Sequence, residues 1–417
     1  MSVKFSAEEV PQVSSEISDE LQQRYTNWKK NTKLLYDYLN TNSTKWPSLT
    51  CQFMPDLEVP TDKHRLLLSS FTSSQLPEDE AVYISELSTM RHVPWSSLNN
   101  FDMDEMEFKV DNQAKLPNKN LVETVRIQFP SGDCNRACYM PQNPDIIGAI
   151  ASTGAVNIFD RTKHGTNRPK LLGSAASYEI QLNEPESLGD ADSAEALSLA
   201  WNWQKAGIIA SSYSNGLIKV WDITRYQKSQ PTISNPELRI LQDKAGTNDV
   251  SWMVHHSSIL AACGESNTIG LLDTRAPDAF KPTKASPHTG GINTLQFNYA
   301  NDMLLCAADS NGGIALWDCR AFSKPLSVFN HGDSVSALQW NPNLPTIVAT
   351  AGQGDGLIKI WDTSREPEDS LLFVHGGHML GVNDIAWNYH DPWLMCSVAN
   401  DNSVHVWKPA ANLVQAK

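Results

Sequence analysis

The sequence repeats a pair of aromatic or apolar landmark residues at a nearly fixed spacing. In six consecutive units the two landmarks lie 20 or 21 residues apart, and Asp follows the second landmark in most of them. The pairs are Tyr139 and Phe159, Trp201 and Trp221, Trp252 and Leu272, Phe297 and Trp317, Trp340 and Trp361, and Trp387 and Trp407. In three units a His lies nine residues before the first landmark, at His288, His331 and His378. So regular a spacing is typical of a structural repeat.

Each unit is predicted to form one four-stranded β-sheet. The first landmark ends an inner strand, a turn follows, and a strand of small apolar residues leads through a second turn to the strand that ends at the second landmark. Six residues before the second landmark lie Asn215, Asn311, Asp355 and Asp401, where a short polar side chain suits a tight turn. Six units therefore occupy the chain from about Leu121 to Trp407.

A seventh unit is expected between residues 47 and 120, where SLTCQFMPD, HRLLLSSFT and AVYISEL have the composition of strands. Closing seven sheets into a ring removes exposed edges, and in this architecture an N-terminal strand usually completes the last sheet. We expect SLTCQF to be that closing strand. The predicted fold class is all-β, a seven-bladed WD-repeat β-propeller with an N-terminal α-helix packed on its side.

An amphipathic helix is predicted over residues 17–41, with a stripe formed by Leu21, Tyr25, Trp28, Leu35 and Leu39 and with Ser18 as its N-cap. Two interpretations stay open: the helix only covers an apolar flank of the propeller, or it also presents Leu34 to a partner. The other expected segments are a disordered N-terminus at 1–16, the propeller at 42–410 with an acidic loop at 363–372 in blade six, and a C-terminal tail at 411–417.

The formal net charge of −14 arises from 33 basic and 47 acidic residues. Such a field opposes direct binding to nucleic acid and favours a basic partner. Acidic runs occur at 77–80, 102–107, 184–195 and 366–369, and each is either a solvated loop or part of a binding surface. No apolar stretch predicts a membrane span or a secretion signal. Seven cysteines, an odd number, indicate reduced thiols and no disulfide framework.

Motifs of known catalytic chemistry are absent from the sequence: it has no P-loop, HExxH, GxSxG or paired CxxC. The segment GQGDG at 352–356 precedes a strand and is interpreted as a turn. His375 and His378 have a spacing that suits a metal, but His378 already belongs to the repeat and no Cys completes a ligand set. We therefore expect no enzyme activity, no catalytic residue, no cofactor and no metal.

Several strings are more specific than the repeat: YTNWKKNTKLLYDYLNTNSTKWPSLTCQFMPD, HRLLLSSFTS, NRACYMPQNPDII, FDRTKH, HGGHMLGVNDIAWN and DPWLMCSVANDNSVHVWK. They resemble the histone-binding WD-repeat family, which is related to the retinoblastoma-binding proteins, over nearly the whole chain. Within that family, the N-terminal helix and the C-terminal SVANDNSVHVWKP look most like the fungal small subunit of chromatin assembly factor 1.

The resemblance implies that a helix of histone H4 lies in a side groove between the N-terminal helix and the loop of blade six. The matching residues are Leu34, Leu35, Glu366, Glu368, Asp369, Leu371, Leu372 and Phe373. The loop SREPEDSLLF is short for the family and lacks a paired proline. An amphipathic basic helix in such a groove would combine apolar burial with charge pairing at the rim.

The resemblance also implies a site for the histone H3 tail on the acidic top face of the propeller. Asp133, Asn135, Glu195 and Asn293 match the family pattern. The sequence departs from it at Lys45, Asn248, Ser334 and Asn400, where acids are expected, and at Phe71, where the family has His. Because carboxylates attract Lys and Arg, we expect weak or altered tail binding at this face.

The function implied is that of a non-catalytic histone chaperone subunit, which binds histones H3 and H4 for replication-coupled nucleosome assembly in the nucleus. Its other partners would be the larger subunits of chromatin assembly factor 1, with the chain monomeric by itself in a hetero-oligomeric complex and without direct contact to nucleic acid or membrane. A cytoplasmic pool stays open. The alternatives are a histone-presenting subunit of an acetyltransferase or deacetylase complex, and a scaffold or substrate-receptor propeller unrelated to histones.

Overall fold

Seven β-sheets surround a central channel, one sheet for each predicted repeat unit, in the computed structural model of the chain. The structure describes residues 19–58, 62–89, 101–102, 107–108, 120–165, 178–184, 194–322 and 324–414. The predicted seven-bladed propeller with an N-terminal helix is confirmed. None of the helices in these ranges is long and apolar enough to cross a membrane.

The elements follow the repeat in order. Helix α1 (Asp19–Leu35) leads directly into β1 (Tyr36–Ser43). Blade one contains β2 (Cys51–Glu58), β3 (Lys63–Ser69), β4 (Ala81–Ser88) and β7 (Val122–Gln128), and the short β5 (Phe101–Asp102) and β6 (Glu107–Phe108) pair with each other before β7. Blade two contains β8 (Cys134–Met140), β9 (Asn143–Ala151), β10 (Val156–Asp160) and β11 (Ile180–Leu182). Blade three contains β12 (Ala196–Trp201), β13 (Ile208–Tyr213), β14 (Leu217–Asp222) and β16 (Leu238–Leu241), while β15 (Thr232–Ile233) pairs in parallel with β11.

The remaining blades follow the same plan. Blade four contains β17 (Thr247–Trp252), β18 (Ile259–Gly264), β19 (Thr268–Asp273) and β20 (Thr283–Lys284). Blade five contains β21 (Ile292–Phe297), β22 (Leu304–Asp309), β23 (Gly313–Asp318) and β24 (Ser327–Asn330). Blade six contains β25 (Val335–Trp340), β26 (Ile347–Gly352), β27 (Ile358–Asp362) and β28 (Leu371–His375). Blade seven contains β29 (Val382–Trp387), β30 (Met395–Ala399), β31 (Ser403–Pro409) and β1, and helix α2 (Ala411–Val414) follows.

The ring is closed by β1, and the prediction that SLTCQF closes it is wrong. β1 pairs antiparallel with β31, from Tyr36 opposite Pro409 to Ser43 opposite Ser403. The strand β2, which begins at the Cys of TCQF, is instead the inner strand of blade one. Closure by the earlier segment satisfies the otherwise unpaired edge of β31, and it uses residues of weak helix propensity.

The same finding corrects the predicted extent of the helix. The helix ends at Leu35, six residues before the predicted end at residue 41, because the next residue already belongs to β1. Leu39, which the predicted helical stripe includes, is buried in β1 opposite Trp407. The predicted disordered segment at 1–16 and the predicted cap Ser18 lie outside the described residues. At the other end of the chain, residues 411–414 of the predicted tail form α2.

The first landmark of each unit connects neighbouring blades. In four blades this landmark is a Trp that ends the inner strand, and its indole N–H donates to a backbone carbonyl of the preceding blade. The four bonds are Trp201 to Cys138 at 3.0 Å, Trp252 to Ala200 at 3.1 Å, Trp340 to Gln296 at 3.1 Å and Trp387 to Gln339 at 3.1 Å. A Trp at this position therefore adds a specific inter-blade hydrogen bond to its apolar burial.

The second landmark joins a polar network inside its own blade. In blade seven Trp407 donates to Ser397 Oγ at 3.1 Å, and Ser397 contacts His378 at 2.7 Å. In blade six Thr350 takes the same place between Trp361 and His331, at 2.9 and 2.8 Å.

Blade five departs from this pattern. Here the corresponding residue is Ala307, and the buried indole N–H of Trp317 has no hydrogen-bond partner among the described residues. His288 is bound by Asp309 at 3.0 Å, whereas Asn311, the residue in the predicted turn register, donates to Thr289 at 3.0 Å.

Candidate functional site

One flank of blades six and seven gathers the residues predicted for the side groove. We define the side groove as the surface between the C-terminal end of α1, strand β28 and the loop 363–370. The end of α1 is fixed to the end of the chain, since Leu35 O accepts a hydrogen bond from Ala410 N at 2.8 Å. Asp37 accepts the first N–H of α2, from Ala411, at 3.0 Å. Helix α2 packs beside β28, so α1 and α2 both border the groove.

The apolar residues of the groove lie at different depths. Leu34 is 71% exposed and Leu371 is 43% exposed, which is unusual for leucines on an otherwise well-packed protein. Leu35 and Leu372 are half-buried and pack on the core cluster that contains Tyr36 and Phe373. Phe373 was predicted as part of the groove floor, but it is only 5% exposed and its ring stacks on Trp407 at 5.8 Å. It therefore supports the floor from beneath.

The acidic loop presents three exposed carboxylates at the edge of this surface. Glu366 precedes a short 3₁₀-helix, Pro367–Asp369, which carries Glu368 and Asp369. The turn is held by local bonds: Ser370 Oγ donates to Pro367 O at 2.7 Å, and Asp369 N donates to Glu366 O at 2.9 Å. Within the part of the chain that the structure describes, the three carboxylates have no ion-pair partner. Their negative charge is thus available to a basic ligand.

Helix α1 is anchored on the propeller through Trp28. Its indole N–H donates to the hydroxyl of Tyr36 at 2.8 Å, and this hydroxyl lies 2.7 Å from Nδ1 of His375. Nε2 of His375 lies 3.1 Å from Nδ1 of His405. All four side chains are buried, so a continuous polar chain connects α1 with blades six and seven.

The sequence motif HGGH contributes to this anchor, together with a histidine that the sequence analysis missed. One nitrogen from each of His375, His378 and His405 lies within 4.8 Å of the other two, a spacing that a metal ion could bridge. The rings of His378 and His405 are stacked at 4.1 Å, however, and both nitrogens of His378 bond to serine hydroxyls. Ligands converge on a metal in the plane of each ring, so this arrangement suits a hydrogen-bonded network better than a metal centre.

The residues predicted for the top face all lie in hydrogen bonds within the propeller. Asp133 accepts bonds from the backbone N–H and the hydroxyl of Ser74, at 2.7 and 2.9 Å. Asn135 donates to Glu195 at 2.7 Å and to Ala196 O at 3.0 Å. Thus Asp133, Asn135 and Glu195 are partly occupied by the fold itself.

Asparagines at equivalent positions connect successive blades around the channel opening. Asn135, Asn248, Asn293 and Asn383 each donate to a backbone carbonyl of the next blade, at Ala196, Ile292, Val335 and Ser48, over 2.9 to 3.0 Å. Two of the departures from the family pattern thereby acquire a role, since Asn248 makes such a bond and Ser334 contacts Asn293 at 3.3 Å.

Charge at the top face is lowered by Lys45, which forms an ion pair with the buried Asp79. Of the other two departures, Asn400 is exposed and Phe71 is half-buried. The top face therefore presents amides and an ion pair where the family pattern has carboxylates.

Below this ring, a polar cavity of about 150 Å³ contains a charged group that the sequence analysis missed. Arg136 bonds to Asp249 at 3.2 Å and to Ser198 at 2.9 Å, and Asp384 lies close enough to act on its charge. Burial raises the pKa of Asp384 to about 6, and the positive charge of Arg136 opposes that shift. The sequence signal was the shared register of NR, ND and ND in the inner strands at 135–136, 248–249 and 383–384.

Comparison with known proteins gives consistent results over the two parts of the chain. Residues 23–91 match the family model described as histone-binding protein RBBP4 or a subunit of the CAF1 complex. The segments 281–318, 323–362 and 369–408 match the WD domain, G-beta repeat. The chain is similar to histone-binding protein MSI1 of Saccharomyces cerevisiae, with 56% identity over 420 residues that cover 98% of each chain.

Proposed function

Since the chain belongs to the histone-binding WD-repeat family, we propose that it is a non-catalytic histone chaperone that holds a helix of histone H4 in the side groove. The relative from Saccharomyces cerevisiae is named as a histone-binding protein, and the family model that matches α1 and part of blade one carries the same description. These names support histones as the partner class, and the groove supports the mode of binding.

The observation that carries the proposal is the pairing of exposed leucines with unpaired carboxylates on one flank. Leu34 and Leu371 offer apolar surface, and Glu366, Glu368 and Asp369 border it. An amphipathic helix with a basic edge would bury its apolar face on the leucines and place its cations beside the acids. A neutral or acidic helix would gain only the apolar part of this energy.

For the H3 tail we propose weak binding at the top face, at Asp133, Asn135, Glu195 and Asn293. The hydrogen bonds of these residues within the propeller support this view, since a peptide would have to compete with them. The ion pair of Lys45 with Asp79 also lowers the attraction for a basic peptide.

The cellular role that we propose is the small subunit of chromatin assembly factor 1 in replication-coupled nucleosome assembly in the nucleus. The match to a family model whose description includes the CAF1 complex supports this assignment. Native affinity purification from cells tests it: recovery of the larger assembly-factor subunits is expected. Recovery of an acetyltransferase or deacetylase instead would move the chain to a different complex of the same partner class.

The direct test measures binding of the full chain to a labelled peptide of the first H4 helix and to an H3-tail peptide, each at two salt concentrations. We expect micromolar or tighter H4 binding that weakens at high salt, because the rim pairs are exposed to screening. Reversing all three charges, by Glu366→Lys, Glu368→Lys and Asp369→Lys, should lower H4 affinity at least tenfold at low salt, on the order of 1.4 kcal/mol.

A matched control exists in blade four, where Pro277–Ala279 forms the equivalent 3₁₀-helix with exposed Asp278 as its second residue. Asp278→Lys makes the same charge change as Glu368→Lys at the equivalent position and should leave H4 binding unchanged. If the triple variant binds the H4 helix as the unmodified chain does, the groove assignment is wrong. If neither peptide binds the unmodified chain, direct histone binding itself is contradicted.

A further inference from the structure

The polar chain beneath α1 has a direction that the donors and acceptors impose. An indole N–H can only donate, so the hydroxyl of Tyr36 accepts from Trp28 and uses its own proton to donate to Nδ1 of His375. His375 must then carry its proton on Nε2 and donate to Nδ1 of His405. His375 and His405 are therefore both neutral in this chain, with their Nδ1 atoms as acceptors.

A second directed chain lies against the first. Ser403 donates to Asp401, so its oxygen accepts from Nδ1 of His378 at 2.6 Å. Ser397 accepts from Trp407 and donates to Nε2 of His378 at 2.7 Å. His378 is thus neutral as well. With its ring stacked on His405, the two chains bring three neutral imidazoles into one buried cluster.

Trp28 closes this cluster from the side of α1. Its indole ring stacks on His405 at 6.1 Å and contacts the edge of His375 at 5.7 Å. The opposite side is filled by Trp407, which stacks on His375 at 4.4 Å. Water reaches the imidazoles only if α1 moves away. Docking of α1 and the protonation state of the cluster are therefore linked.

We propose that the histidine network, formed by Trp28, Tyr36, His375, His378 and His405, is a pH-sensitive lock that holds α1 on the propeller at neutral pH and releases it under acidic conditions. A proton on Nδ1 of His375 or His405 would turn an acceptor into a donor that faces another donor. The chain that fixes Trp28 would then break. This inference does not depend on what the side groove binds.

The charged groups around the network favour this direction of change. Burial lowers the pKa of His375 and of His405 well below the usual 6.5, and the neighbouring histidines lower both further. Asp401, in the turn before β31, raises the pKa of His405, but this effect is smaller than that of burial. From α1, Arg24 adds a positive charge, and its guanidinium donates to His378 O at 3.3 Å.

The remaining facing groups do not supply a counter-charge for His375 or His405. Tyr36 from β1 is neutral, and burial raises its pKa far above the usual range. Asp355, from the turn between β26 and β27, acts on Arg24. Asp401 lies 3.9 Å from Nδ1 of His378 and is already bonded to Met379 N and Ser403. Protonation is therefore accommodated by undocking α1.

The sign follows from linkage. A histidine in the undocked state regains its usual pKa near 6.5, whereas the docked state resists protonation. The docked population is thus unaffected above about pH 7 and falls as the pH drops below about 6.5. Each histidine that gains a proton on undocking adds about a tenfold shift per pH unit in the docking equilibrium, until its docked-state pKa is reached.

Hydrogen exchange of the α1 amides in the full chain, measured from pH 8 to pH 5 and corrected for intrinsic exchange, tests the proposal. We expect protection of α1 to fall at least tenfold per pH unit below about pH 6, while the inner strand β25 stays protected. His405→Asn keeps an acceptor near the Nδ1 position and removes one titrating group, so its slope should be smaller by about a factor of ten per pH unit.

The control is His255→Asn in blade four, since that histidine is 57% exposed and far from α1. It should leave the slope unchanged. Tyr36→Phe removes the link between Trp28 and His375 and should lower α1 protection already at pH 8. Constant α1 protection in the unmodified chain from pH 8 to pH 5 would overturn the proposal. So would a His405→Asn variant that keeps the original slope, and the first outcome needs no variant to fold.

Discussion

Trp28 of α1 lies directly against the backbone of Gly377, so closely that a Cβ at Gly377 would come within 2.6 Å of Cζ2 of the indole. The glycine pair in HGGH is therefore a receptor for the helix, since a side chain at Gly377 and the buried indole cannot occupy the same space. We expect Gly377→Ala to displace Trp28 and to lower the free energy of unfolding by about 1–3 kcal/mol. Denaturant unfolding and hydrogen exchange of α1 measure both effects.

The neighbouring glycine is the control. A Cβ at Gly376 would lie 3.5 Å from Cδ2 of Leu357 and 3.8 Å from Cδ1 of Trp28, which is ordinary van der Waals contact. Gly376→Ala should therefore leave α1 protected. Equal loss of protection in the two variants would show that the indole does not depend on a bare backbone at Gly377.

Blade five lacks one hydroxyl that three other blades have. Ser211, Thr350 and Ser397 accept from the indoles of Trp221, Trp361 and Trp407, but the corresponding residue before Trp317 is Ala307. The described residues offer no partner to Nε1 of Trp317 or to Nε2 of His288, and both atoms are buried.

Ala307→Ser should supply that hydroxyl, which can accept from Trp317 and donate to His288, as Ser397 does in blade seven. We expect an increase of about 0.5–1.5 kcal/mol in the free energy of unfolding. Ala308→Ser is the counterpart on the opposite face of β22, where the surroundings are apolar, and should destabilise by about 1–3 kcal/mol. Thermal and denaturant unfolding distinguish the two; a destabilised Ala307→Ser would mean that blade five has no room for the oxygen.

The sequence was sufficient to predict the propeller because its landmarks have a local cause. Each landmark ends a strand, and the 20-residue spacing is the length of two strands and their turns, so periodicity alone specified six blades. The family resemblance drawn from the same sequence is confirmed by the 56% identical relative.

Features that depend on distant partners were not predictable in this way. The helical stripe continues through Leu39, and only the free edge of β31, more than 350 residues later, makes that segment a strand. The histidine network has the same character, since His405 has no local motif and is placed by its pairing opposite Thr41 and Ser397. The HGGH string pointed to a special site without indicating that α1 is its ligand.

At the top face, restored carboxylates should strengthen the attraction for a basic tail. Ser334 is half-buried and Asn400 is exposed, so Ser334→Glu with Asn400→Asp adds two charges while the backbone-directed bonds of Asn248 and Asn293 stay in place. We expect about a tenfold gain in affinity for an H3-tail peptide at low salt, and a smaller gain at high salt. Ser334→Gln adds bulk without charge and should give no gain. An equal gain from Ser334→Gln would rule out the electrostatic explanation.

In the central channel, Arg136 lies between two buried carboxylates, Asp249 and Asp384. Burial is the largest influence on Asp384 and raises its pKa to about 6 from 3.8, although Arg136 and the N–H groups of Cys51 and Ile385 stabilise the charged form. Between these two pH values the folded protein keeps a proton that the unfolded chain releases. The free energy of unfolding therefore falls as the pH rises through this window, and the cost is complete above pH 6.

Arg136→Met removes the positive charge that limits this cost, so its effect must depend on pH. At pH 7.5 both carboxylates are charged, and the variant should lose about 2 kcal/mol, less than a fully buried pair because a third of the Arg136 side chain faces the channel. At pH 5 Asp384 is largely protonated, and the loss should be smaller by about 1 kcal/mol. Denaturant unfolding at both pH values measures the difference. Arg320→Met, which removes an exposed ion pair with Asp318, should change stability little at either pH. A loss for Arg136→Met that is the same at pH 5 and pH 7.5 would mean that Asp384 does not titrate between them, and that Arg136 acts only through packing and its bond to Asp249.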